Sequence, residues 1–159
     1  MRRILAIAFG LTMLAAPVAA NHVDWRPAPE SRYAAFTAAL VPVHTDLLAN
    51  IEDMKAVSQR IGALHTFPED AALMREVWLT FQDIARAGLL VTDAYIPEPC
   101  FGDFWAAERL GFLLLGESTA AFPYGGGYFT QSMGLIGPGG YADLLASKTT
   151  CDPASTAGA

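Results

Sequence analysis

Apolar residues recur every three or four positions over residues 31–64, the spacing that places them on one face of an α-helix. Ser31 suits the N-cap of this helix, and the pattern ends near His65. Pro42 interrupts it, because proline lacks the N–H of a helical hydrogen bond and clashes with a carbonyl one turn earlier, so a kink or break is expected there. The predicted buried face consists of Phe36, Leu40, Val43, Leu47, Ile51, Met54, Val57, Ile61 and Leu64.

A second helix is predicted to begin within residues 66–69 and to run to about Tyr95. Thr66 with Glu69 fits a capping box, whereas Pro68 favours Phe67 as the cap, so both boundaries are compatible with the sequence. The short connection makes the first two helices an antiparallel hairpin. The predicted core face of the second helix consists of Met74, Val77, Trp78, Phe81, Ile84, Ala85 and Gly88.

Residues 103–121 are apolar almost all round, which indicates a buried third helix capped by Asp103. A buried strand bounded by Gly111 and Gly116 is the alternative. The glycine-rich residues 122–140 are expected to form a loop, residues 141–147 a short final helix, and residues 152–159 a flexible tail. The pattern therefore predicts an all-α fold: one small helical bundle over residues 21–151, built from a long kinked hairpin, a buried third helix and a short C-terminal helix.

Residues 1–20 have the layout of a secretory signal peptide. Arg2 and Arg3 precede an uncharged apolar run, and Val18 and Ala20 place small residues at the positions that favour cleavage after Ala20. The run is at the lower length limit for crossing a bilayer, so an uncleaved anchor is the alternative. A signal of this bacterial type predicts a periplasmic or secreted protein with no stable membrane anchor after cleavage.

The net charge of the chain disfavours some classes of binding partner. Cleavage would remove Arg2 and Arg3 from a chain of 10 basic and 16 acidic residues, leaving 8 basic residues and a net charge of −8. Such a surface repels phosphate backbones and anionic lipids, which disfavours nucleic acid and membrane surfaces as partners. With 53% hydrophobic residues, the chain can bury one sizeable core.

Cys100 and Cys151 are the two cysteines of the sequence. An even count in an oxidising compartment predicts one disulfide, which would tie the C-terminal segment to the connection before the third helix. Closing a loop of this length should stabilise the fold by about 3–4 kcal/mol. A redox role is the alternative, although the two cysteines do not form a Cys-x-x-Cys motif.

The glycine-rich segment also carries three aromatic residues, Tyr124, Tyr128 and Phe129. Glycines allow a partner to approach the backbone closely, and aromatic rings offer amphipathic contact area at low entropic cost, so these three residues are candidates for ligand or partner binding. The alternative is that the rings pack back onto the bundle. The segment lacks the signatures of a nucleotide-phosphate loop.

Glu117 is a candidate catalytic acid, because it follows the apolar run Leu113-Leu114-Leu115 and an apolar setting favours the protonated form of a carboxyl group. Glu117-Ser118, followed by Gly134-Leu135-Ile136-Gly137, resembles the catalytic stretch of lytic transglycosylases, in which a Glu-Ser pair precedes a Gly-Leu-Met-Gln run. The Met-Gln of that run is absent here. The resemblance implies a cell-wall glycan-cleaving enzyme with Glu117 as general acid, and the alternative is a solvent-facing glutamate near Arg109.

The histidines offer one candidate metal site. After cleavage, His22 would be the second residue, where its ring, the backbone amide and the free amine form a set of nitrogen ligands suited to cupric copper. His44 lies at the edge of the first apolar stripe and His65 at the predicted helix end, with no ligand-like spacing between them. Haem attachment is excluded because no Cys-x-x-Cys-His motif occurs, and no cofactor is expected.

These observations favour an exported, non-catalytic binding module for an envelope protein or a small apolar ligand, acting through residues 95–104 and 122–141. A glycan-cleaving enzyme and a periplasmic copper-binding protein are the alternatives.

Overall fold

The computed structural model describes residues 29–64, 69–149 and 151, and the described residues contain no strand. The predicted all-α fold is confirmed. The third segment is a helix, so its interpretation as a strand was wrong. The helices are α1 (Pro29–Leu64), α2 (Glu69–Ala94), α3 (Gly102–Ala120), α4 (Gly126–Ile136) and α5 (Tyr141–Ala146).

The core lies where α1, α2 and α3 meet. Phe36 and Leu47 of α1, Phe81 of α2, and Phe112 and Leu115 of α3 are completely buried. Gly88 lets α2 and α3 approach closely, since a Cβ at that position would overlap the ring of Phe112. Both predicted core faces are confirmed wherever side chains are described: Met54, Ile61, Met74 and Trp78 are half-buried and the other members are buried.

The predicted starts of the first and third helices were wrong. The first helix begins at Pro29, ahead of Ser31. It continues through Pro42 without a break, and a kink there stays a prediction. Pro42 is exposed, and the flanking turns are held by the buried side chains of Leu40 and Val43. The N-cap of α3 is Phe101 and not Asp103. Asp103 lies in the first turn, where its negative charge interacts favourably with the helix dipole.

The glycine-rich segment differs most from its prediction, because residues 126–136 are helical. Its apolar side follows helical spacing and packs on α2 and α3: Phe129 and Met133 are half-buried and Ile136 is buried. The Ser132 hydroxyl donates to the Gly111 carbonyl at 2.8 Å. Tertiary packing therefore outweighs the low helix propensity of the glycines.

The predicted disulfide is confirmed. Cys100 and Cys151 are bonded, with their Cα atoms 5.2 Å apart. Cys100 lies in the connection between α2 and α3, and Cys151 follows α5, so the bond ties the end of the described chain to the start of α3. Beside it, Arg32 of α1 donates to the carboxylate of Glu98, which joins α1 to the same connection.

Several predictions fall on residues outside the described ranges: the signal peptide at residues 1–20, His22, His65, the capping box at 66–69 and the tail at 152–159. The apolar N-terminal run is compatible with a signal sequence, and the disulfide is compatible with export. Residues 31–61 of α1 are long and apolar enough to cross a membrane by length and composition alone, a test that a core helix also passes.

Candidate functional site

A cleft of about 450 Å³ opens between α1, α3, α5 and the connection from α4 to α5. This volume is in the range of small-molecule binding sites. On α1, the lining residues recur with helical spacing, so a single face of that helix forms one wall. The lining residues are Thr37, Leu40, Val41, His44, Leu48, Phe104, Glu108, Ile136, Gly137, Pro138, Gly139, Asp143 and Ala146.

A histidine–glutamate pair lies in this largely apolar cleft. The Nε2 atom of His44 is 3.0 Å from Oε2 of Glu108. The Glu108 side chain is only 3% exposed, whereas that of His44 is 27% exposed. Within the described part of the chain, His44 is the sole hydrogen-bond partner of the Glu108 carboxylate. A buried carboxylate can accept several hydrogen bonds, so Glu108 retains unused acceptor capacity.

The surroundings of His44 favour its protonated form. Burial by itself lowers the pKa of the imidazole, but the hydrogen bond to Glu108 and the negative charges of Glu108 and Asp143 outweigh burial, so the net pKa is raised above its usual value. The His44 ring also packs edge-on against Phe112, with ring centroids 5.9 Å apart, which fixes its orientation beside the carboxylate.

The connection between α4 and α5 shapes the opposite wall. Gly139 has a φ of 70°, a left-handed conformation that glycine adopts without strain. Its N–H donates to Oδ2 of Asp143 at 2.9 Å, and the Gly140 N–H donates to the Gly137 carbonyl at 2.8 Å. The turn is thus held by its own hydrogen bonds, and Asp143 is fixed beside the cleft.

Folding stability should respond to pH through His44. Because the folded-state pKa is raised, protonation of His44 stabilises the fold fully below the unfolded-state pKa of about 6.5, and this contribution is lost as the pH rises through the folded-state pKa. We therefore expect the stability difference, the free energy of unfolding of the wild type minus that of His44→Gln, to fall as the pH rises above about 6.5. Urea denaturation of both proteins measures it; a flat or rising difference contradicts the assignment.

The predicted aromatic binding residues are divided between surface and core. Tyr124 is 91% exposed, and Tyr128 is also exposed. Phe129 instead packs on the bundle, with its ring centroid 5.4 Å from that of Trp78 and 5.2 Å from that of Phe81. Neither tyrosine lines the cleft, and binding by all three residues stays a prediction.

Glu117 lies near the end of α3 with its side chain exposed, so the apolar setting that motivated its role as a general acid is missing. The neighbouring Ser118 is buried, and its hydroxyl donates to the Leu115 carbonyl at 2.8 Å. Arg109, considered as a partner of Glu117, instead donates to Asp93 at 3.0 Å. Glu117 is therefore exposed, unlike the buried Glu108 that pairs with His44.

No cluster of three or more potential metal-ligating side chains occurs among the described residues. The candidate copper ligand His22 lies outside them. The two cysteines are bonded to each other.

The His44–Glu108 pair was missed in the sequence. One signal was present: Glu108 falls four residues after Phe104 and four before Phe112, on the face of α3 that the apolar pattern buries. An acidic residue in such a stripe needs a partner, because an unpaired buried carboxylate is costly. His44 is 64 residues away, so the pairing itself depends on how α1 and α3 pack.

No protein-family model, curated protein or solved structure matches the chain.

Proposed function

We propose that this protein is an exported, non-catalytic binding protein that takes a small, largely apolar ligand into the cleft between α1, α3 and the α4–α5 connection. The observation that carries the proposal is the cleft itself. It has apolar walls and a few polar groups at defined positions, the composition typical of small-molecule sites. The Arg2-Arg3 signal pattern and the disulfide support an oxidising compartment, for which the periplasm is our proposal.

Binding accounts for the cleft better than catalysis does. Among the described lining residues, the one hydroxyl side chain is that of Thr37, which is 3.0 Å from the carbonyls of both Tyr33 and Ala34 in its own helix. It is therefore engaged with the backbone rather than with His44. We propose that the pair of His44 and Glu108 orients and recognises a ligand.

Binding of an envelope protein through Tyr124 and Tyr128 is the second candidate, favoured by their exposure. The cleft is the stronger of the two because its walls come from several helices and enclose a volume, whereas the tyrosines are isolated on the surface.

The proposal predicts that a neutral apolar fluorophore, N-phenyl-1-naphthylamine, binds in the cleft. Val41 and Leu48 are exposed residues of its α1 wall. Replacing both with asparagine should weaken binding about tenfold, since the lost apolar contact is worth about 1–2 kcal/mol. Fluorescence titration at pH 7 measures the dissociation constants.

The matched control replaces Leu79 and Leu90, two exposed leucines of α2 outside the cleft, with asparagine. Leu79 lines a smaller groove beside Trp78, so this variant also tests whether the fluorophore binds there instead. Unchanged binding in the control and weakened binding in the cleft variant support the proposal. Absence of binding to the wild type, or equal losses in both variants, contradicts it.

A further inference from the structure

The charged side chains among the described lining residues of the cleft are acidic, apart from the titratable His44. Among its lining residues, Glu108 and Asp143 carry negative charge, and none is lysine or arginine. The helix α4 has no charged residue, so it supplies no compensating cation. With His44 neutral, the described lining residues therefore carry two negative charges and no positive one.

We infer that the ligand of this cleft is an amphipathic cation, an apolar body carrying an ammonium group that pairs with Glu108 and Asp143. This inference rests on the proposed function. Glu108 is a nearly buried carboxylate with a single hydrogen-bond partner among the described residues, so it can accept a further donor without losing the one it has. The apolar walls then accommodate the rest of the molecule.

The two carboxylates of the cleft disfavour an anionic ligand. An alkyl carboxylate would meet two carboxylates in a partly desolvated cleft on a protein with a net charge of −6, and like charges in such surroundings repel strongly. The same field that favours a proton on His44 favours an ammonium group in the cleft, because both are positive charges near the same two carboxylates.

The protonated imidazole of His44 and a cationic ligand therefore compete for the same two carboxylates. The charged groups of the cleft that face His44 are Glu108 of α3 and Asp143 of α5. A protonated His44 repels an ammonium group, so the affinity for a cationic ligand should rise as the pH increases and His44 loses its proton. A primary alkylamine remains protonated below about pH 9, like the lysine ammonium, so the ligand keeps its charge over this range.

The inference is tested with three probes of equal chain length: octylamine, 1-octanol and octanoate. Isothermal titration calorimetry at pH 8 should show octylammonium binding about tenfold more tightly than octanol, and octanoate binding most weakly. The affinity for octylammonium should fall several-fold at pH 6 in the wild type and change little in His44→Gln.

Glu108→Gln should abolish the preference for octylammonium over octanol, and circular dichroism should show that the variant is folded. Asp83→Asn, which removes an exposed acidic charge of α2 outside the cleft, controls for net charge and should retain the preference. Equal binding of amine and alcohol, tighter binding of octanoate, or an unchanged preference in Glu108→Gln overturns the inference. If none of the probes binds, the proposed function itself fails.

Discussion

Truncation of Phe81 to alanine is expected to lower the free energy of unfolding by about 3–5 kcal/mol. The Phe81 side chain has no solvent exposure, and its ring lies 5.2 Å from that of Phe129 and 5.9 Å from that of Trp78. The substitution removes apolar surface from the core and leaves a cavity between α2 and α4. Because small domains have about 5–15 kcal/mol of total stability, this is a large share.

The matched control is Leu79→Ala, also on α2, where the side chain is 51% exposed. Its cost should stay below about 1 kcal/mol, because little buried surface is lost. Urea denaturation followed by circular dichroism gives both values. Similar costs for the two variants would mean that the buried face of α2 is misassigned.

Removal of the disulfide should have an effect of similar size. The bonded cysteines are 51 residues apart, and the entropy of closing a loop of that length corresponds to about 4 kcal/mol in the unfolded chain. Cys100→Ala combined with Cys151→Ala should therefore unfold at a clearly lower urea concentration than the oxidised wild type.

Reduced wild-type protein provides the control, since it keeps both side chains and lacks only the bond. It should resemble the double variant in stability. An unfolding midpoint for the double variant equal to that of the oxidised wild type contradicts the expectation, as does the finding of two free thiols in freshly isolated protein.

The long helices were predictable because their periodicity is strong. Phe36, Leu40, Val43 and Leu47 recur with helical spacing, and this signal was correct even across Pro42. Residues 126–136 gave the opposite signal, since glycine disfavours helices. Their helical conformation depends on side chains such as Ile136 that pack on α3, and a local pattern does not contain that information.

The candidate site was less predictable than the fold. The sequence predicted binding through residues 122–141, which stays a prediction; Gly137, Pro138 and Gly139 of that range line the cleft. His44 and Glu108, however, were not recognised as a pair, because only the packing of α1 against α3 brings them together. Pairings between residues far apart in the chain are set by tertiary structure, which single-sequence patterns do not specify.

The disulfide divides the described chain into a covalent ring, residues 100–151, and an open arm that includes α1 and α2. The two carboxylates of the cleft, Glu108 and Asp143, belong to the ring, whereas His44 belongs to the arm. The charged cleft is therefore complete only while the arm is docked on the ring. A cut in the backbone of the ring would release no fragment, whereas detachment of α1 would dismantle the cleft without breaking a covalent bond.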